Sequence, residues 1–155
     1  MSTSHSSITR RDTARTLLQT IAGAFGAVFL LVGILGFVPG ITTSYGDLSF
    51  AGHTSDAKLV GVFEVSVLHN LVHLAYGVAG LAAMRRADAS AAYLVVGGLV
   101  YAVVWIYGVA VGDESSANFV PLNTADNWLH LVLAVAMVAL GLDGRRRLRG
   151  NTGLE

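Results

Sequence analysis

Four long apolar runs, separated by polar segments, are the main pattern along the chain. The runs cover residues 16–38, 59–84, 90–111 and 123–142. A helix rises 1.5 Å per residue, so about 20 residues cross a hydrocarbon core of about 30 Å. Pro39 and Gly40 follow the first run, and this pair commonly ends a helix. The pattern therefore predicts an all-α fold, a bundle of four transmembrane helices.

The segments between and beyond the runs are polar and predict loops and tails. Residues 41–58 and 112–122 are expected to form two polar loops, and residues 85–89 a tight turn. Residues 1–15 are expected to form an N-terminal tail, and residues 144–155 a basic C-terminal tail. The first ten and the last six residues are expected to be disordered, as chain ends often are.

The composition favours a membrane protein. The chain has 155 residues, of which 54% are hydrophobic and 13% are charged, whereas a soluble domain carries about 25% charged residues. The lipid bilayer is therefore its expected partner. No cysteine is present, which excludes disulfides, thiolate metal ligands and cysteine nucleophiles.

The basic residues predict the orientation in the membrane. Nine of the ten Lys and Arg residues lie in the two tails or at Arg85 and Arg86, and Lys58 is the exception. Short basic segments stay in the cytoplasm, so both termini are predicted to lie there and both long loops outside. We expect a multi-pass protein of the inner (plasma) membrane. A short basic tail beside a helix is ordinarily a topology anchor, so nucleic acid is not an expected partner.

Two polar groups interrupt the apolar runs. His69, Asn70 and His73 lie in the second run, and a further set opens the fourth. Polar residues inside a bilayer are costly, so each needs a partner or a purpose. At 100° per residue, each group falls on one helix face. The predicted inward faces are Ser66, His69, Asn70, His73, Gly77 and Gly80 in the second helix; Tyr93, Gly97, Tyr101 and Gly108 in the third; and Asn123, Asp126, Asn127, His130, Met137 and Gly141 in the fourth.

These faces predict a polar pocket between the second and fourth helices, backed by the third and open to the outside. Imidazole and carboxylate groups suit transition metals such as Zn, Cu, Ni or Fe. We therefore predict a pocket for a metal ion or a small ligand. The predicted metal ligands are His69, His73, Asp126 and His130; the residues predicted to contact a cofactor or orient the imidazoles are Asn70, Tyr101 and Asn127.

Other interpretations stay open. The same polar groups can hydrogen-bond across helices and only fix the packing of a structural or interaction subunit. Two facing histidines can hold a haem, and a ladder of histidines can handle protons. No acidic group continues that ladder towards the cytoplasm, so a complete proton path is not expected. No nucleophile–base pair stands out, so catalysis is not indicated.

Small residues leave the oligomeric state open. Ala22, Gly26, Gly33 and Gly36 permit close helix packing, either within one chain or in a homo-oligomer or a complex with another membrane protein.

Four stretches of the chain are distinctive: FLLVGILGFVPGITT, VSVLHNLVHLAYGVAGLA, YLVVGGLVYAVVWIYG and ANFVPLNTADNWLHLVLAVAM. Together they resemble a family of small actinobacterial four-helix membrane proteins, domain of unknown function family 4383. The resemblance extends over about residues 24–141, and the LHNLVH and NTADNWLH motifs are unusual inside a membrane. It implies a four-span membrane protein and supplies no established activity.

Overall fold

The computed structural model describes residues 3–52, 54–112 and 115–150, with side chains from 12 to 149 within those ranges. Four helices make up most of this part of the chain. They are α1 (Thr3–Leu35), α2 (Val67–Ala83), α3 (Ala87–Val111) and α4 (Thr124–Gly150). Three short strands, β1 (Thr42–Thr43), β2 (Lys58–Leu59) and β3 (Phe63–Glu64), and a 3-10 turn at Tyr45–Asp47 lie between α1 and α2.

Three of the helices are long and apolar enough to cross a membrane. The spans are Asp12–Leu35, Ala87–Val111 and Thr124–Arg149, whereas α2 is apolar but has 17 residues. Large apolar side chains point away from the bundle on all four helices, among them Leu31, Val78, Val103 and Val132. Length and composition therefore fit an integral membrane protein, as the apolar runs predict.

Both chain ends differ from the expected tails. Helix α1 begins at Thr3 and therefore includes most of the expected N-terminal tail. Helix α4 continues to Gly150 through the basic segment, where Arg147 binds Asp143 one turn earlier at 2.6 Å. Neither extension contains proline, and arginine is a good helix former, so nothing stops these helices where the apolar pattern ends. Residues 1–2 and 151–155 lie outside the described residues.

The second span also begins later than expected. Residues 59–66 were predicted to be helical, but α2 starts at Val67. Ser66 caps this helix, since its side chain accepts a hydrogen bond from the backbone N–H of His69 at 3.1 Å. Before the cap, β2 and β3 form a hairpin in which Lys58 pairs with Glu64. Their side chains form an ion pair at 3.7 Å.

The three strands form an antiparallel sheet at one end of the bundle, in the order β1-β2-β3. Buried Ala57, Leu59 and Val65 pack against Val32 and Leu35 at the end of α1. The apolar residues just before α2 therefore fill a small core under the sheet instead of extending the helix.

The helices associate as two close pairs, α1 with α2 and α3 with α4. A Cβ atom on Gly26 would lie 2.8 Å from the backbone nitrogen of Leu81 and 2.9 Å from the carbonyl oxygen of Gly77. In the other pair, a Cβ on Gly98 would lie 2.9 Å from the carbonyl oxygen of Ala134. Only glycine permits such close backbone approach. The small-residue face of α1 thus packs within the chain.

The two pairs meet around a shared apolar core. This core consists of Leu18, Phe29, Ala91, Leu94, Tyr101, Ala134 and Met137. The sheet and the segment 115–123 lie beyond one end of it, and the turn between α2 and α3 lies at the other. The polar residues of α2 and α4 are found between the core and the sheet.

Candidate functional site

The predicted inward faces of α2 and α4 are buried, as helical spacing indicates. On α2, His69, Asn70 and His73 are at most 8% exposed. On α4, Asp126, Asn127 and His130 are at most 9% exposed. Tyr101 of α3 is also buried, and Asn123 is half-buried.

Three imidazoles and one phenol meet in the interior, and we call them the His–Tyr group. His69 and His73 stack with ring centroids 4.6 Å apart and planes at 14°. The His130 ring lies 6.3 Å from that of His69 and 5.2 Å from that of Tyr101. Phe29 of α1 stacks on Tyr101 at 5.5 Å. Side chains from all four helices thus contribute to this part of the interior.

Both ring nitrogens of His73 have partners. Its Nδ1 lies 3.1 Å from the carbonyl oxygen of His69, so Nδ1–H donates to that oxygen. Nε2 is then the acceptor, and the Tyr101 hydroxyl donates to it across a long 3.5 Å contact. His73 is therefore held by its own helix and by α3.

His69 and His130 differ from His73 in one respect. The Nδ1 atom of each ring is buried and has no hydrogen-bond partner among the described residues. Leaving a buried polar atom unpaired costs about 1–3 kcal/mol. No described residue completes the hydrogen bonding of these two nitrogens.

Asp126 binds the backbone. Its Oδ2 accepts hydrogen bonds from the N–H of Glu64 at 3.0 Å and of Asn123 at 3.2 Å. The N–H of Asp126 donates in turn to Oδ1 of Asn123 at 3.0 Å. This reciprocal arrangement is a capping box at the start of α4. The predicted metal ligand Asp126 therefore joins β3 to α4.

The two predicted orienting asparagines lie within the helix pairs. The side chain of Asn70 occupies the space that a Cβ atom on Gly36 would need, between α1 and α2. The side chain of Asn127 occupies the space that a Cβ atom on Gly108 would need, between α3 and α4. Neither polar atom of the Asn70 side chain, nor Oδ1 of Asn127, has a hydrogen-bond partner among the described residues. Weak contacts between an amide oxygen and a glycine Cα–H recur at such helix interfaces.

No metal centre is assembled in the described ranges. Within residues 3–52, 54–112 and 115–150, no three His, Asp or Glu side chains are grouped to hold a metal ion. Asp126 instead binds backbone amides, and Nε2 of His73 lies 3.5 Å from the Tyr101 hydroxyl. A zinc site normally needs three or four protein ligands.

Two cavities flank the His–Tyr group. The first, of about 120 Å³, lies between α2 and α3, and the second, of about 260 Å³, lies between α1, the sheet and α4. All three histidines line both cavities. The remaining walls are almost wholly apolar. They include Leu68, Val72, Val100, Val104 and Val120 in the first cavity, and Val32, Leu35, Leu59, Phe63 and Leu129 in the second.

A family model for a domain of unknown function (DUF4383) matches residues 19–142. The chain belongs to the DUF4383 family. The match extends from α1 into α4 and includes every residue of the His–Tyr group. No curated protein and no solved structure matches the chain.

In this DUF4383 protein, the residues that sequence reasoning missed come mostly from loops and other helices. Val120 lies in the segment 115–123, which folds back because the Tyr107 hydroxyl bonds both the carbonyl of Ala117 and the N–H of Phe119. Phe29 was predicted only as part of an apolar run. Nothing in the local sequence of either residue indicates a position beside three histidines.

Proposed function

We propose that this chain is an integral membrane protein that binds a small, mostly apolar molecule carrying one hydrogen-bonding group. The observation that carries the proposal is that His69 and His130 line two largely apolar cavities while the Nδ1 atom of each ring is buried without a partner among the described residues. Binding sites for small molecules commonly combine apolar walls with a few placed polar groups.

The cavity volumes indicate which ligands fit. A cavity of about 150 Å³ holds benzene in a protein interior, and the cavities here measure about 120 and 260 Å³. A single aromatic ring or a short branched chain matches this space. A neutral imidazole accepts at one nitrogen and donates at the other, so a hydroxyl or carbonyl on the ligand would complete the site.

The position of the first cavity favours access from the bilayer. Val72 and Val100 line it and are also 53% and 46% exposed on the outward faces of α2 and α3. In a membrane, those faces contact acyl chains. A molecule dissolved in the bilayer would reach the histidines without crossing the segment 115–123.

The metal and haem interpretations have less support. No three His, Asp or Glu side chains among the described residues are grouped to hold a metal ion, and Asp126 accepts hydrogen bonds from two backbone amides. For haem, the stacked ring of His73 lies on one side of His69 and that of Tyr101 beside His130. A haem held between two histidines would separate their rings by more than the 6.3 Å between the ring centroids of His69 and His130.

The packing interpretation is the second candidate, and one observation favours it. Asp126, Asn70 and Asn127 all act within the fold, as a cap and as contacts to glycines. Under this interpretation the histidines also contribute only to helix packing, and no molecule binds saturably in the cavities.

Fluorine NMR of the protein in lipid nanodiscs separates these candidates. The probes are para-fluorophenol and fluorobenzene, which differ by one hydroxyl group. We expect saturable binding of both, with the phenol about fivefold tighter, since one neutral hydrogen bond contributes about 1 kcal/mol. His69→Leu/His130→Leu removes both nitrogens, so it should abolish this preference and keep fluorobenzene binding. Met137→Leu, a buried change on the same helix that lines neither cavity, should alter neither affinity.

Other outcomes would contradict the proposal. Partitioning of both probes without saturation would favour the packing interpretation. Stoichiometric metal in the purified protein, lost in His69→Ala/His130→Ala, would favour a metal site. A Soret band in protein from haem-replete cells would favour haem.

We also propose that both termini lie in the cytoplasm, in an inner (plasma) membrane. The support is the charge pattern: Arg15, Arg85, Arg86 and the Arg145–Arg149 segment lie at the same end of the bundle.

A further inference from the structure

A cleft with three arginines lies at the end of the bundle opposite the sheet. It has a volume of about 450 Å³ and is formed by α1, the turn between α2 and α3, and the end of α4. Its lining includes Arg15, Gln19, Arg85, Arg86, Asp88 and Leu148. We call it the arginine cleft. It shares no residue with the cavities beside the histidines.

The floor of the arginine cleft is tied to two helices. Nε2 of Gln19 donates to the carbonyl of Met84 at 2.8 Å, which fixes α1 against the end of α2. The Ser90 hydroxyl donates to the carbonyls of Ala83 at 3.0 Å and Arg86 at 2.9 Å. The turn that carries Arg85 and Arg86 is therefore held from both sides, and the positions of their backbones are fixed before anything binds.

The charges in the cleft are unbalanced. Arg86 is neutralised by Asp88, because Nε and Nη2 of the guanidinium lie 3.2 and 2.8 Å from the two carboxylate oxygens. Arg15 and Arg85 form no ion pair with any carboxylate that the structure describes. Two guanidinium groups from separate elements thus remain available. Guanidinium groups match the oxygens of a phosphate with paired hydrogen bonds.

The level of the cleft in the membrane indicates the source of the phosphate. Helix α2 ends at Ala83 and α3 begins at Ala87, so the cleft lies at the ends of the apolar helices, the level at which we expect lipid headgroups. Leu148 gives it an apolar wall on α4. We propose that the arginine cleft binds the phosphate of an anionic phospholipid, with Arg15 and Arg85 as the principal contacts.

Lipid binding by the full-length protein tests this site. The protein in nonionic detergent is titrated with phosphatidylglycerol, and bound lipid is counted by native mass spectrometry. Each basic residue at a membrane surface raises the affinity for anionic lipid about fivefold. We therefore expect Arg15→Gln/Arg85→Gln to lower the affinity for the most tightly bound lipid about 30-fold. The matched control is Arg145→Gln/Arg146→Gln, which removes the same charge from residues outside the cleft lining. It should weaken binding less than threefold.

Equal weakening by both double variants would overturn the proposal, because a general positive field would then explain the binding. If millimolar inorganic phosphate displaces the bound lipid, free phosphate rather than a phospholipid is the ligand, and the proposal is overturned. Retention of the lipid under these conditions supports a phospholipid as the ligand. If the glutamine variant does not fold, Arg15→Lys/Arg85→Lys gives the answer. Lysine keeps the positive charge but cannot form the paired hydrogen bonds of a guanidinium. Lipid affinity several fold lower in this variant supports paired guanidinium contacts, and unchanged affinity overturns them.

Discussion

His73 and His130 show that identical side chains in one buried group have different roles. His73 donates to the helix carbonyl of His69, while Nδ1 of His130 has no partner among the described residues. The inward position of both could be predicted, since it depends only on 3.6-residue spacing. The role of Asn70 and Asn127 could not, because the space each fills is created by a glycine elsewhere in the chain, Gly36 or Gly108.

The two histidines should therefore respond in opposite directions to leucine. His130→Leu removes a buried unpaired nitrogen and keeps most of the apolar volume, so we expect unchanged stability or a gain of up to about 1 kcal/mol. His73→Leu loses a hydrogen bond, and we expect a loss of about 1 kcal/mol. Thermal unfolding in mild detergent, followed by circular dichroism, measures both. Equal destabilisation by the two changes would mean that His130 has a structural partner.

Gly26 should not tolerate even one added methyl group. A Cβ at this position would lie 2.8 Å from the backbone nitrogen of Leu81, and backbone cannot rotate away as a side chain can. We expect Gly26→Ala to destabilise the protein by about 1–3 kcal/mol. Gly46→Ala is the control, since nothing lies within 4 Å of its added Cβ. Unfolding in detergent should leave this control unchanged; a shift as large as that of Gly26→Ala would contradict close packing of α1 on α2.

At the scale of elements, the four helices could be predicted and the sheet could not. The strands have two residues each, and β1 pairs with β2 across a loop of more than ten residues. Such non-local pairing leaves no periodic signal. Leu59 and Val65 pack in the small core under the sheet. Because both are apolar and directly precede α2, the apolar pattern predicted them to be part of that helix. The capping box at Asn123 and Asp126 was readable from the sequence, but the carboxylate was interpreted as a metal ligand instead.

Asp126 should accordingly matter for stability whether or not a ligand is bound. Asp126→Ala removes a charged acceptor from the N–H groups of Glu64 and Asn123, so we expect a loss of about 2 kcal/mol. Asp143→Ala is the matched control, because its exposed pair with Arg147 contributes about 0.5 kcal/mol at most. Unfolding of both variants in metal-free buffer decides the matter. A loss for Asp126→Ala that appears only with added metal would contradict the capping role.

At the scale of the whole molecule, the absence of cysteine allows a clean test of orientation. Asp47 is exposed in the loop between α1 and α2, and Arg146 is exposed at the opposite end of the bundle. In intact cells, we expect a membrane-impermeant maleimide to label Asp47→Cys and to leave Arg146→Cys unlabelled until the cells are lysed. The reverse pattern would place both termini outside.

The short α2 has a consequence for the surrounding bilayer. Its 17 residues extend about 25 Å, which is less than the thickness of a typical hydrocarbon core. The neighbouring hairpin presents Val60 and Val62 at its tip, 60% and 47% exposed. If α2 crosses the bilayer, we expect hydrophobic mismatch to draw this hairpin into the headgroup region or to thin the leaflet beside it. Short acyl chains should suit the protein better than long ones, and the thinned leaflet would lie beside the helix that carries His69 and His73.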